Sequence, residues 1–150
     1  MKGIQNKNLE LCRDIAKYLK EKYPNEIFAI KENSIVAFRT KSRLCRNKSM
    51  SSMAHYHNSS PPRICIKQKL LVDGKSWTSE YEFGHQKRGT GYYISGIYGL
   101  IDLMCHELAH HRTRHHGKKW YQKYLKFRDE MLTIFESGKF YKVFSIESLF

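Results

Sequence analysis

The pair His106 and His110 constrains the fold of this chain more than any other feature of its sequence. The two histidines belong to the segment HELAH at 106–110, an HExxH pattern. Residues four apart lie on one face of an α-helix, one turn apart, so the pattern predicts a helix over 97–112 that presents both imidazoles to the same side. Two imidazoles so placed can reach one metal ion at the ~2.0–2.1 Å typical of zinc.

A carboxylate and further histidines follow in the order that zinc chemistry requires. Glu107 lies beside the metal position, where it can take a proton from zinc-bound water. A catalytic zinc site uses three protein ligands and keeps one position open. Five residues separate His110 from His116, enough for the chain to leave the helix and return, and Gly117 can turn it into the next helix. His116 is the expected third ligand, and His115 is the competing choice.

The segment HELAH, followed by His116, Gly117 and the aromatic Trp120, resembles the SprT-like zinc metallopeptidases and the related WLM group. These groups share an HELxH helix, a later histidine near Gly or Asp, and an aromatic residue two to five positions beyond. The short spacing to His116 is closer to the WLM pattern. The resemblance is specific over 106–121. The metzincins share the histidine spacing but place glycine at the position of Thr113, and they fit less well.

The resemblance extends over the architecture of residues 92–136 and implies a cytoplasmic or nuclear zincin fold. Several members of the family cleave proteins that are bound or crosslinked to DNA. Carried over by position, the resemblance implies Zn²⁺ as the cofactor, with His106, His110 and His116 as its ligands. It implies that Glu107 is the general base.

Basic residues are the second functional signal. The chain has 27 Lys and Arg against 14 Asp and Glu, a net charge of +13. Residues 33–72 contain eight basic and no acidic residues, and residues 112–128 contain seven and none. Phosphate contacts by such side chains are independent of base sequence and sensitive to salt. DNA or another nucleic acid is therefore an expected partner, and solubility or an acidic protein partner would account for the same charge. The candidate contacts are Arg112, Arg114, Lys118, Lys119, Lys123 and Lys126.

These signals predict a zinc-dependent metallopeptidase that hydrolyses peptide bonds through a zinc-activated water. Its substrates would be proteins or peptides, with nucleic-acid-associated proteins as a candidate class. The alternative is a basic nucleic-acid-binding module with a structural zinc, which needs a fourth ligand such as His115, His85 or a cysteine. A third possibility is a zinc hydrolase that acts on something other than a protein. Four tyrosines are candidates for stabilising an oxyanion or, more commonly, for core packing: Tyr92, Tyr93, Tyr121 and Tyr124.

The order of predicted elements indicates an α+β fold, a single zincin-like domain over residues 1–150 with a small, mostly antiparallel sheet. The expected elements are a helix over 7–23 that ends at Pro24, short strands at 27–30 and 35–38, a hairpin of 63–72 and 75–83 that turns at Asp73-Gly74, a short strand at 92–94, the HExxH helix over 97–112, a C-terminal helix over 118–136 followed by Gly138, and a weak edge strand after residue 140. An extended substrate would lie along the edge of 63–83 or 92–94.

Residues 39–62 are rich in Ser, Asn and basic residues, which predicts a long basic loop. The segment His55-Tyr56-His57 within it is interpreted as solvated, because nothing near it in sequence completes a metal ligand set. His111 is expected to be a solvated residue too.

The compartment is expected to be the cytoplasm or the nucleus or nucleoid, without secretion. No apolar run approaches the ~20 residues of a membrane-spanning helix, and the first residues lack the apolar stretch of a signal peptide. The four cysteines, Cys12, Cys45, Cys65 and Cys105, include no CxxC pair. They are therefore interpreted as free thiols, with Cys12 and Cys105 in the core.

Overall fold

Helices and short strands make up the structure, a computed structural model that describes residues 2–27, 30–38, 54–57, 62–73, 75–78, 81–82, 85–86, 92–111, 113 and 117–139. The helices are α1 (Lys2–Lys22), α2 (Pro24–Ile27), α3 (Gln68–Asp73), α4 (Gly96–Ala109) and α5 (Lys118–Glu136). The strands are β1 (Ile35–Phe38), β2 (Ala54–His57), β3 (Arg63–Lys67), β4 (Lys75–Thr78), β5 (Tyr81–Glu82), β6 (His85–Gln86) and β7 (Tyr92–Ser95). This composition confirms the predicted α+β class.

The largest sheet has the strand order β1-β3-β2. Strand β1 runs parallel to β3 with Ile35 opposite Ile64, and β2 runs antiparallel with Tyr56 opposite Ile64. Strands β4 and β7 form a second antiparallel pair, and β5 and β6 a third. Three of the four pairings between described strands are therefore antiparallel, as predicted, but these strands belong to three small sheets rather than one.

Helix α1 carries one continuous apolar stripe. Leu11, Ile15 and Leu19, spaced four residues apart, are all fully buried. The helix begins at Lys2, five residues before the predicted start, and ends at Lys22. Pro24 then occupies the first position of α2, where its missing N–H costs nothing because the first amides of a helix have no partner within it.

Helix α5 has the predicted bounds. Its stripe at i, i+3 and i+4 spacing is buried against the rest of the core, and consists of Trp120, Tyr124, Phe127, Met131 and Ile134. After the helix ends, Gly138 adopts a φ of 79° and its N–H donates to the carbonyl of Phe135 at 3.2 Å. The left-handed conformation favours glycine here, as predicted from the sequence.

Strand β7 leads directly into α4 without a connecting loop. Ser95 is the last strand residue and Gly96 the first helical one. Gly96 has a φ of 69°, in the left-handed region that residues with a Cβ rarely adopt. Helix α4 packs against α1, α5, β4 and β7, and its residues are buried almost all round, so it is the central helix of the core.

The predicted hairpin after residue 63 is wrong. Strand β3 ends at Lys67, and residues 68–73 form helix α3 instead of continuing the strand. Leu70 and Leu71 are buried, and the side-chain amide of the buried Asn8 on α1 donates to the carbonyl of Leu71. Leu70 and Leu71 thus pack against α1 from a helical turn. Strand β4 pairs with β7 rather than with β3.

Two further local predictions differ from the structure. Ile27 lies in α2 and Ile30 outside any strand, so the expected strand at 27–30 is absent from that part of the described chain. Within the expected loop 39–62, residues 54–57 form β2, whose Tyr56 packs against the core. The remaining residues 39–53 and 58–61, and the expected edge strand after residue 140, lie outside the described residues.

The core predicts a large effect for one substitution on α5. Phe127 is fully buried, with its ring centroid 5.5 Å from that of Tyr23. Phe127→Ala should lower the free energy of unfolding by about 3–5 kcal/mol, because it removes buried apolar area and leaves a cavity. Urea unfolding measures this, with Gln122→Ala at an exposed position of the same helix as the control. An equal effect of both variants would contradict the assigned core.

A carboxylate between α1 and α5 predicts acid sensitivity. Glu130 accepts a hydrogen bond from the Tyr18 hydroxyl at 2.7 Å and pairs with Lys22 at 3.0 Å. The bond from Tyr18, and then Lys22, hold the pKa of Glu130 below its usual value. Because the pKa is lowered in the folded state, the stabilisation is present above the ordinary glutamate value of about 4.3 and is lost as the pH falls through the folded value.

The variant Glu130→Gln should therefore cost about 1 kcal/mol at pH 7, the scale of partly exposed pairs. The difference from wild type should shrink below about pH 4.3. Urea unfolding between pH 3 and pH 7 checks this, with the exposed Glu21→Gln as the control. A difference that grows as the pH falls would refute the sign.

Candidate metal centre

The HExxH segment occupies the last turn of α4 and the residue after it. The ring centroids of His106 and His110 lie 5.1 Å apart, with the rings inclined at 69°. Zinc–nitrogen bonds of about 2.0–2.1 Å allow one ion to bind between rings at this separation. The Oε1 atom of Glu107 lies 3.8 Å from Nε2 of His106. The structure thus brings together the two predicted histidine ligands and the predicted base.

Helix α4 ends at Ala109, three residues before the predicted end. The amides of His110 and His111 donate to the carbonyls three residues before them, both at 3.1 Å, which tightens the last turn. The Thr113 hydroxyl donates to the Ala109 carbonyl. Side chains and a tightened turn thus satisfy carbonyls that the helix end would otherwise leave without partners, and they hold the chain after the pattern against α4.

A backbone carbonyl fixes the protonation of His110. Its Nδ1 lies 2.9 Å from the carbonyl oxygen of Thr113. A carbonyl only accepts, so Nδ1 carries the hydrogen and Nε2 carries the lone pair in the neutral ring. A histidine that binds a metal through Nε2 commonly donates its other N–H in this way, which fixes both the tautomer and the ring orientation. The donor chemistry at His110 therefore fits a zinc ligand.

The ring of Trp120 lies against both histidines. Its centroid is 4.8 Å from that of His106, edge to face, and 5.6 Å from that of His110, with 30° between the planes. Its Nε1–H donates to the carbonyl oxygen of His106 at 3.1 Å. The aromatic residue in the sequence motif is therefore in contact with the proposed ligands and with the backbone that carries them.

Glu107 is 5% exposed. Burial raises the pKa of its carboxyl to about 8, because desolvation disfavours the charged form. An adjacent cation would act in the opposite direction and favour the carboxylate.

Tyr124 lies one helical turn beyond Trp120 on α5. The two rings are nearly parallel, at 6°, with centroids 5.1 Å apart. The Tyr124 hydroxyl donates to Oδ1 of the buried Asp102, and Nη1 of Arg128 donates to the hydroxyl oxygen at 3.3 Å. Burial, and then the charge of Asp102, raise the pKa of Tyr124. Tyr124 is therefore a buried core residue, and its hydroxyl is bound to Asp102 rather than free to stabilise an oxyanion. Tyr121 is half-buried, and the side chains of Tyr92 and Tyr93 lie outside the described residues.

Two residues that were expected to be solvated are buried, and one of them, His111, directly follows His110. His111 is 3% and His55 7% exposed, so both expectations are wrong. Nδ1 of His111 lies 2.6 Å from the Tyr56 hydroxyl, which joins β2 to the end of α4. Burial lowers the pKa of both His55 and His57. The alternation in the 54–57 segment was the signal for a strand, but its polar composition favoured a loop.

Both candidates for the expected third ligand lie outside the described part of the chain. His115 and His116 are not described, nor is the side chain of His85. Across the described residues, no three His, Cys, Asp or Glu side chains are grouped closely enough to hold a metal ion. The described cysteines Cys12, Cys65 and Cys105 are buried, and Cys12 and Cys105 lie in the core as predicted.

The basic residues that were predicted to contact phosphate differ in their partners and exposure. Lys126 pairs with Glu26, and Nζ of Lys123 donates to the His111 carbonyl at 2.6 Å. Arg112 and Arg114 lie outside the described residues. Lys118 and Lys119 are exposed at the start of the helix, so they are the described members of this set best placed to contact a phosphate.

Comparisons with protein-family models, curated proteins and solved structures found no match to this chain. The resemblance to SprT-like peptidases therefore depends on the motif residues alone. None of the described helices has the length and apolar character needed to cross a membrane.

Proposed function

We propose that this chain is a zinc-dependent peptidase of the SprT-like type. The observation that carries the proposal is the arrangement at the end of α4. The rings of His106 and His110 lie edge to face with centroids 5.1 Å apart, and Oε1 of Glu107 lies 3.8 Å from Nε2 of His106. The bond from His110 to the Thr113 carbonyl supports the same function, since it orients the ring as a ligand.

Each residue has a distinct role in this proposal. His106 and His110 bind the ion, with His116 as the third ligand. When bound, Zn²⁺ would polarise the substrate carbonyl and lower the pKa of water to about 7. Glu107 accepts a proton from the attacking water and passes it to the leaving amine, so that one carboxylate acts first as base and then as acid.

Strand β2 is the best candidate for the edge that binds an extended substrate. Among the described strands it is an outer one, in the order β1-β3-β2, whereas β3, the first part of the predicted edge, is central. The contact between Tyr56 and His111 places β2 next to the end of α4. A peptide added to such an edge is held by main-chain hydrogen bonds and needs no specific side-chain pocket.

The test measures zinc and cleavage on the same purified chain. Mass spectrometry should find about one zinc per chain, the single site of the proposal. A quenched fluorescent peptide should be cleaved, a chelator should stop the cleavage, and added zinc should restore it. Zinc without cleavage of any peptide or protein would favour the structural-zinc alternative. Absence of zinc after reconstitution would refute the metal centre.

Nucleic-acid-associated proteins are the proposed substrate class, because the net charge is +13. Lys118 and Lys119 are exposed in the first turn of α5, which contains no acidic residue. The positive end of the helix dipole adds to their charge, and phosphate is favoured at such a position.

Changing both Lys118 and Lys119 to alanine should reduce the salt slope of DNA binding by about 2, since each lysine that contacts a phosphate contributes about 1. Fluorescence anisotropy between 50 and 200 mM salt measures the slope. The matched control changes Lys7 and Lys17, two exposed lysines of α1, to alanine. Equal slopes in the two double variants would place the interface elsewhere.

A further inference from the structure

Two pairs of residues link α4 to α5 beneath the proposed metal centre. On α4, Asp102 and His106 are four residues apart, and on α5, Trp120 and Tyr124 are four residues apart. The Tyr124 hydroxyl donates to Asp102, and the Trp120 indole N–H donates to the carbonyl of His106 at 3.1 Å. Residues four apart share a helix face, so the two hydrogen bonds connect one face of α4 to one face of α5.

The hydrogen-bonded pair of Asp102 and Tyr124 is polar, although an apolar pair would fill the same space. Asp102 is 4% and Tyr124 2% exposed. Burying a carboxylate is costly unless hydrogen bonds compensate. An apolar pair of similar shape avoids that cost and can be nearly neutral or stabilising. Packing alone therefore does not account for a hydroxyl and a carboxylate at this place.

The hydrogen bond from the Tyr124 hydroxyl to Asp102 orients the Tyr124 ring. It fixes the Tyr124 ring relative to α4, and Arg128 donates to the same oxygen at 3.3 Å, so the hydroxyl proton is directed to Asp102. The Tyr124 ring is stacked on Trp120, and Trp120 contacts both His106 and His110. A fixed Tyr124 therefore limits the positions that the indole and the two imidazoles can take.

We propose that Tyr124 is a positioning residue, whose hydrogen bond to Asp102 holds the Tyr124–Trp120 stack and thereby orients His106 and His110 for a divalent metal ion such as Zn²⁺. This inference rests on the proposed function, since it concerns the same metal centre. Tyr124 acts on the ligands through Trp120 and through its own ring, whose centroid lies 6.2 Å from that of His106, and it takes no part in the chemical step.

The test removes the hydroxyl and keeps the ring. Tyr124→Phe should bind zinc about tenfold more weakly than wild type, the lower end of the range for residues that orient metal ligands. Competition with a chromophoric chelator measures the affinity. The visible absorption spectrum of the Co²⁺ form reports the ligand geometry and should also change. A loss of packing or stability alone would leave that spectrum as in wild type.

Tyr18→Phe is the matched control. It removes a tyrosine hydroxyl that donates to a carboxylate, that of Glu130 at 2.7 Å, between α1 and α5. It should bind zinc as wild type does. Weakening of the same size in both variants, or a Tyr124→Phe protein with wild-type affinity and cobalt spectrum, would overturn the positioning role.

Two further variants keep the test decisive if Tyr124→Phe does not fold. Tyr124→Phe combined with Asp102→Leu removes the buried carboxylate together with the hydroxyl that donates to it. Arg128 loses its acceptor but is only half-buried, so the double variant should fold, and it should show the same weaker binding. Asp102→Asn keeps an oxygen that accepts from Tyr124 and should bind zinc more tightly than the double variant. Wild-type affinity in the double variant overturns the positioning role. If the wild-type chain itself binds no zinc, the proposed metal centre is refuted. If wild type binds zinc and the double variant binds it equally well, only the positioning role is refuted.

Discussion

Replacing Glu107 by glutamine is expected to lower the rate of peptide hydrolysis by about 10²–10⁴-fold, the contribution of a positioned general base. The amide has nearly the same size and cannot accept the proton of the attacking water. Because the side chain is buried and desolvation already disfavours its charge, the neutral amide should fold normally. The measurement is cleavage of a quenched fluorescent peptide at saturating zinc, together with the zinc content of the variant.

The control is Glu136→Gln, which makes the same change of charge at an exposed position near the end of α5. It should cleave like wild type. Unchanged cleavage in the Glu107 variant would refute the mechanism, whereas loss of cleavage together with loss of zinc would mean that Glu107 holds the ion rather than the proton.

Replacing His110 by alanine is expected to weaken zinc binding by more than about 100-fold, the upper range for losing a residue that only orients a ligand. The reason is that the variant loses one donor atom of the ion itself. The neighbouring bond from the ring to the Thr113 carbonyl is lost too, so thermal unfolding without metal should be compared with wild type. Chelator competition measures the affinity.

The same titration decides between the two candidates for the third ligand. His116→Ala should bind zinc as weakly as His110→Ala, and His115→Ala should bind it like wild type. The opposite result would assign the third ligand to His115. Full affinity in both single variants, and in a chain with both changes, would exclude a third ligand from this segment.

The pairing of His106 with His110 was the part of the candidate site most open to prediction from the sequence. Because His106 and His110 are four residues apart, local helix geometry alone places them on the same side of the helix. Helix α5 was predicted with its observed bounds, because its apolar stripe and Gly138 are also local signals. The contacts of Trp120 and Tyr124 with α4 were not predictable in the same way, because they join residues 14 and 22 positions apart.

The sheet was predicted less well, for a physical reason that two elements illustrate. At 68–73 the turn signal Asp73-Gly74 favoured a hairpin, but burying Leu70 and Leu71 against α1 favours a helical turn. At 54–57 the polar composition favoured a loop, but β3 supplies a partner strand and the end of α4 a contact for Tyr56. Strand formation depends on such tertiary neighbours more than helix formation does.

The direct passage from β7 into α4 at Gly96 also determines on which side of the helix the two histidines lie. With no loop between strand and helix, the helical phase is counted from the last paired residue, Ser95. One residue inserted at this junction would turn the helix by about 100°, because a turn contains 3.6 residues. His106 and His110 would then point away from Trp120. The junction thus determines the rotation of the whole helix about its axis. Insertions or deletions that keep His106 and His110 beside Trp120 must therefore occur elsewhere in the chain.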